Sequence, residues 1–250
     1  MTHLWIEDDL ALDEVVDEIL LQPRYAIDTE FHREKTYYPK LALVQLKWGN
    51  KTALVDPLAV DPRGLARLFE SDILAVFHAA QQDLEVLRHA SLVAPRNIFD
   101  SQIAAGFLGF STPSLATLVQ AIKKVALSKG DRLTDWLRRP LTPAQCVYAA
   151  DDVAHLLDLH DELSSQLNEL GRTVWVADAC NDLVARPSGP IESHLAWLKL
   201  KEARSLKGAS RGVAQSVGQW REERAMRSDY PPRRIMSDMA LLGIAQRVPK

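Results

Sequence analysis

Cysteine is almost missing from this chain: Cys146 and Cys180 are the only two in 250 residues. Two isolated thiols supply neither a disulfide framework nor a zinc-ligand set, and they fit a reducing cytoplasm. No apolar run approaches the roughly 18 residues of a membrane span, so no membrane partner is expected. The start of the chain carries Glu7, Asp8 and Asp9 where a secretory leader would have a basic segment and an apolar core, which again points to a cytoplasmic protein. Internal repeats and low-complexity tracts are missing too. What remains, 47% hydrophobic and 25% charged, is ordinary for a globular protein. Its length suits one large domain, or one domain with a small appendix.

The net charge of −3 hides an asymmetry. Residues 186–250 hold 13 Lys and Arg against 6 Asp and Glu, so that segment carries about +7 and the remainder about −10. An acidic body with a basic appendix suggests a catalytic part and a polyanion-binding part, although solvated basic helices give the same count.

Leu12, Val15, Val16, Ile19 and Leu20 have helical spacing and predict a helix over 11–21, capped by Asp9 and stopped by Pro23. Strands are predicted over 25–29, 41–46 and 52–55, with Gly49-Asn50 as a hairpin turn between the last two. Residues 62–70 look helical. A strand over 73–78, a helix over 82–89 and a short strand at 98–99 follow. Asp100 then caps a helix over 102–108, and another covers 115–125. From Pro143, with Thr142 as N-cap, the pattern is long and helical, and Gly171 interrupts a second run that ends near Arg186. This order predicts an α/β domain over 1–186, its mixed sheet built from three antiparallel strands and then parallel additions. Arg186-Pro187-Ser188-Gly189-Pro190 reads as a linker. Residues 187–250 read as a small all-helical domain, with Trp197, Trp220 and 235–244 as core candidates.

Four acids and one tyrosine stand beside hydrophobic runs. Asp28 and Glu30 end the strand Tyr25-Ala26-Ile27-Asp28-Thr29-Glu30, and alternation turns both the same way. They are either a solvated strand end or a ligand pair. Asp83 stands near a helix start, where a carboxylate also suits the free N–H groups and the dipole. Tyr148 and Asp152 share a helix face at i and i+4; a core tyrosine beside a surface acid is the plain alternative. Asp151 points about 100° away. Four acids brought together repel one another. Divalent ions remove that cost, and a pair of them is a known device for cleaving phosphodiesters.

In this order the five residues resemble the DEDD exonuclease superfamily. In its tyrosine-bearing branch Asp-x-Glu ends the first strand, an Asp follows the fourth, and Tyr-x-x-x-Asp lies on a late helix. The sibling branch has a histidine where this chain has Val147. Further blocks narrow the resemblance to the bacterial ribonuclease D family: Asp28-Thr29-Glu30-Phe31, Thr36-Tyr37-Tyr38-Pro39, Leu43-Val44-Gln45-Leu46, Val55-Asp56-Pro57-Leu58, Asp100-Ser101-Gln102-Ile103-Ala104 and Thr134-Asp135-Trp136-Leu137-Arg138-Arg139-Pro140-Leu141. Residues 191–250 are similar to the helical nucleic-acid-binding (HRDC) domain shared by RecQ-type helicases and ribonuclease D. The similarity rests on Trp220-Arg221-Glu222, Asp229-Tyr230-Pro231-Pro232, Ile235, Leu241 and Ile244-Ala245, and it implies that the domain continues beyond Lys250.

The resemblance implies a ribonuclease H-like fold and a metal-dependent 3′-5′ exoribonuclease releasing 5′-mononucleotides. Its cofactors would be two divalent ions, Mg²⁺ or Mn²⁺, about 4 Å apart. Asp28, Glu30 and Asp152 would hold one, Asp28 and (through water) Asp83 the other, while Tyr148 orients the attacking water. The implied partner is RNA with a single-stranded 3′ end, with precursor tRNA as one candidate, and a monomer is expected. Phe31 either stacks on a terminal base or belongs to the core, and His78 either contacts substrate or is structural. Lys129, Arg132, Arg138 and Arg139 either hold the RNA backbone or are solvated. The rivals are a proofreading-type DNA exonuclease, a non-catalytic RNA-binding scaffold and a generic α/β metal-binding protein.

Overall fold

The computed structural model describes residues 3–127, 134–187 and 189–248. The chain divides into two compact units: Met1–Phe31 with Leu41–Ser188, and His32–Lys40 with Gly189–Lys250.

The first unit is built on a six-stranded sheet. Its strands are β1 (Leu4–Ile6), β2 (Arg24–His32), β3 (Lys40–Trp48), β4 (Lys51–Val55), β5 (Leu74–Phe77) and β6 (Ile98–Asp100), in spatial order β1-β4-β3-β2-β5-β6. β3 and β4 form the antiparallel hairpin that Gly49-Asn50 predicts, with Gly49 at φ +49°. β5 runs parallel to β2 and to β6. The sequence gives no sign of β1, which pairs parallel with β4 at the sheet edge. Three residues are too few to show a period, so the predicted three-strand start is one strand short. β2 is interior to the sheet, and Tyr25, Ala26 and Ile27 are fully buried.

Helix α1 (Asp9–Leu20) buries Leu12, Val15, Val16 and Ile19. Its cap is Asp8, not Asp9: the Asp8 carboxylate accepts from Ala11 N at 2.9 Å. A short α2 (Ala66–Phe69) precedes β5, and α3 (Gln81–Ser91) follows it. Then come α4 (Ser101–Phe107), α5 (Leu115–Lys123), α6 (Pro143–Ala154), α7 (Leu156–Glu169) and α8 (Thr173–Ala185). Gly171, at φ +64°, separates α7 from α8 as its position suggests. Thr142 and Gln145 close a capping box at the start of α6, with Pro143 in its first turn.

The second unit is helical, with α9 (Gly208–Ser228), α10 (Pro232–Ile235) and α11 (Asp238–Arg247) following two short 3-10 turns. Its core is Trp197, Leu200, Ala203, Ala214, Leu241 and Ala245. Trp220, expected there, is 47% exposed on α9, while Gly218 on the same helix is buried. Glu222 is 1% exposed and accepts from Lys199 Nζ at 2.8 Å and from the Tyr37 hydroxyl at 2.7 Å. Asp229, in a left-handed turn at the end of α9, accepts from the amides of Tyr37 and Tyr38. These bonds explain why the segment from His32 to Lys40 belongs with the helices, which its place in the sequence does not suggest.

A β-carbon added at Gly218 would lie 3.0 Å from Trp197 Cβ and 3.2 Å from its Cα, so backbone would have to shift. Gly218→Ala is expected to destabilise the second unit by about 1–3 kcal/mol in chemical denaturation. Gly212→Ala on the same helix meets nothing within 4 Å and should be neutral or stabilising by up to about 1 kcal/mol. Equal effects of the two changes would remove close packing as the reason for glycine at 218.

Candidate active site

The last paired residues of β2 and β5 are Ala26 and Val76, and β5 ends one residue later at Phe77. Asp28 to Glu30 therefore run past the end of β5, at the carboxyl edge of parallel strands where open α/β sheets place their ligands. The chain leaving β5 turns through His78-Ala79-Ala80 into α3, which brings Asp83 in its first turn to this edge. Thr29 Oγ1 donates to Asp83 Oδ1 at 2.5 Å, and both residues are buried.

Asp100 builds that turn. Besides capping α4 through Gln102 N and Ile103 N, its carboxylate accepts from Ala79 N at 3.1 Å and Ala80 N at 2.8 Å. Ala79 has φ +61°, a left-handed conformation that costs an alanine about 1 kcal/mol or more and persists because the surroundings impose it. The predicted capping role of Asp100 is thus only half of what it does. His78 sits behind the same turn: its Nε2–H donates to the Pro113 carbonyl at 3.1 Å, which leaves Nδ1 to accept from the Ser101 hydroxyl at 2.9 Å. Burial lowers its pKa and favours this neutral form. Of its two expected roles, the bonding favours the structural one.

Tyr148 and Asp152 lie on α6. The Tyr148 ring packs 6.0 Å from that of Trp136, which is 5% exposed, beside Leu43, Leu54 and Ala149. The segment entering α6 is tied to the sheet by Arg139. Its guanidinium grips Asp56 with two bonds of 2.7 Å and also donates to the carbonyls of Ala42, Trp136 and Arg138. Asp56 is 5% exposed. Arg139 is therefore fully engaged inside the unit and not available to an RNA backbone, which corrects that expectation. Arg138 is exposed; Lys129 and Arg132 lie outside the described residues. Phe31 is partly buried and packs against the main core.

The ionisation of the acids shows how close they stand. Burial raises the Asp28 carboxyl well above the ordinary range, and the charges of Asp83, Asp152 and Glu30 raise it further. Burial, then Asp152 and Asp83, push Glu30 up to about 8. Burial pushes Asp83 up to about 7 against the opposing hydrogen bonds from Thr29. Asp151 is not among the charges acting on these groups. The donors are all carboxylate oxygens, a set that fits Mg²⁺ or Mn²⁺ better than zinc. Among the described residues no three His, Cys, Asp or Glu side chains are preassembled as a metal cage. Thr29 is the residue that sequence reasoning passed over. A buried hydroxyl between two acids, at a strand position where an apolar side chain is the norm, was its only signal.

A 3′-5′ exonuclease family model matches residues 4–168, and an HRDC domain model matches residues 199–250. The crystal structure of Escherichia coli RNase D, described as an exoribonuclease involved in structured RNA processing, superposes with a TM-score of 0.94 at 32% identity, covering 100% of this chain and 67% of that one. The chain belongs to the ribonuclease D family. The ribonuclease D of Jannaschia sp. (strain CCS1) is 38% identical over 92% of this chain but is matched over only 61% of its own length. Within the wider fold, Brucella melitensis NrnC with bound Mg²⁺ superposes with a TM-score of 0.59 at 25% identity over 74% of this chain and 90% of its own. No helix among the described residues is long and apolar enough to cross a membrane.

The raised carboxyl values have a testable sign. Below about pH 4 the folded and unfolded chains hold these protons alike; as pH rises, the unfolded chain releases them first. Stability is therefore lost as pH climbs through about 7 for Asp83 and about 8 for Glu30. In EDTA the melting temperature is expected to fall from about pH 5 to about pH 9, and Glu30→Gln should make the fall shallower. A flat or rising profile for this window would show that the acids are not held together as placed.

Proposed function

We propose that this chain is a metal-dependent 3′-5′ exoribonuclease that removes 5′-mononucleotides from RNA with a single-stranded 3′ end. The observation that carries this is the convergence of Asp28, Glu30, Asp83 and Asp152 at the sheet edge, where Asp83 and Asp152 act on the ionisation of both Asp28 and Glu30. Holding several like charges in one partly buried place is unfavourable unless cations are to be bound there. Family membership supports the same activity, and the relative described as a structured-RNA processor supports RNA over DNA. Precursor tRNA 3′ ends are one substrate of this class.

Asp28, Glu30 and Asp152 would hold one Mg²⁺ or Mn²⁺, and Asp28 with Asp83 a second. When bound, such ions lower the pKa of a water and neutralise charge on the scissile phosphate. The carboxylates would lose their retained protons on binding, so affinity should rise with pH. Tyr148, whose ring packs against that of Trp136, would orient the attacking water by hydrogen bonding, with no need to give up its own proton. Phe31, next to Glu30 in the sequence, would be the ring on which a terminal base stacks.

The test is a time course on a 5′-labelled hairpin with a 3′ tail, with Mg²⁺, with Mn²⁺ and with EDTA, beside its all-DNA counterpart. A ladder shortening from the 3′ end is expected, absent in EDTA and faster on RNA. Asp28→Ala should reduce it to background while the protein still melts cooperatively. Tyr148→Phe should slow it by about 10- to 100-fold, in line with groups that orient metal-bound ligands. Full activity of Asp28→Ala would sink the assignment, and a faster DNA ladder would move it to DNA.

A further inference from the structure

The strand Asp28-Thr29-Glu30 carries two acids with a threonine between them, and alternation turns the threonine away from their face. That position would suit valine, which matches threonine in shape and shares its preference for strands. The hydroxyl is what needs a reason. It meets one partner, Asp83 Oδ1, at 2.5 Å, with Thr29 6% and Asp83 7% exposed. Asp83 comes from a different element, 54 residues away, and its carboxylate works against the charge of Asp28. Without a tether, that repulsion favours rotation of the Asp83 carboxylate away from the cluster. The backbones of Thr29 and of Asp83 itself also donate to this carboxylate, and the hydroxyl adds the side-chain bond that sets how Oδ1 is turned.

We infer that Thr29 is a positioning residue, whose hydroxyl holds the Asp83 carboxylate in the orientation from which it serves the second cation. This rests on the two-cation function proposed above. In this role Thr29 would touch neither substrate nor reacting atoms. Its contribution reaches the chemistry through Asp83, whose own place is set by the Asp100-clamped turn at the start of α3.

The experiment compares wild type with Thr29→Val, Thr29→Ala and Thr29→Ser. Mn²⁺ binding is measured by electron paramagnetic resonance without RNA, and the kinetics of 3′-end shortening are measured in parallel. Wild type is expected to bind two Mn²⁺. Thr29→Val should weaken the looser site by about 10- to 100-fold, the usual effect of losing a group that orients a metal ligand, and leave the tighter site within about threefold. Its kcat should fall with little change in KM for RNA. Thr29→Ser, which keeps the hydroxyl, should stay close to wild type in both measurements. If Thr29→Val does not melt cooperatively, Thr29→Ala is read in its place. Unchanged Mn²⁺ affinity in the variant lacking the hydroxyl overturns the inference. So does a serine variant as impaired as the valine one, because the methyl group would then be the part that matters. Wild type that shortens RNA but binds a single Mn²⁺ also overturns it, while wild type that binds none and leaves RNA intact overturns the proposed function first.

Discussion

Mutual repulsion among Asp28, Glu30, Asp83 and Asp152 is the constraint that the first unit is arranged around. The acids come from three separate elements, and burial makes Asp28, Glu30 and Asp83 harder to ionise than they would be in water. A fold that leaves such groups to relax would scatter them. This one instead fixes the backbone beneath each of them: β2 lies inside the sheet, α3 is set by a clamped turn, and α6 is capped at its start and tied to the sheet before it begins.

The clamps share one chemistry. In each, a carboxylate takes several donors, most of them from irregular stretches of chain. Asp100 gathers four amides from two helix starts, and Asp56 holds the Arg139 fork that also grips three carbonyls. In the second unit Glu222 and Asp229 do the same for Tyr37 and Tyr38. Hydrogen bonds to ionised acceptors are roughly twice as strong as neutral ones, and a buried carboxylate without them is strongly unfavourable. The same residue type thus takes donors from distant residues where it builds the frame, and stands beside other acids at the edge of the sheet.

Much of this was legible beforehand because local chemistry carries it. Thr142, Pro143 and Gln145 announce the start of α6, Gly49-Asn50 the hairpin, and the apolar spacing of Leu12 to Ile19 the first helix. The five candidate site residues stand out by their order and context. What escaped notice lacked a local signature: β1 is too short to show a period, Asp8 and Asp9 are adjacent acids of equal capping chemistry, and Trp220 has the composition of a core residue on the solvent side of α9. Arg139 looked like a surface cation because its partner Asp56 is 83 residues away.

The sequence alone determined the element types, the family and the identity of the candidate ligands, because these depend on periodicity, capping chemistry and motif order along the chain. Only the tertiary structure decided which polar residues face the acids and which hold the frame. Thr29, Asp100, Arg139 and His78 each have a role set by a partner more than 20 residues away. Such pairings follow from how strands and helices pack, and packing brings together side chains that no local pattern relates.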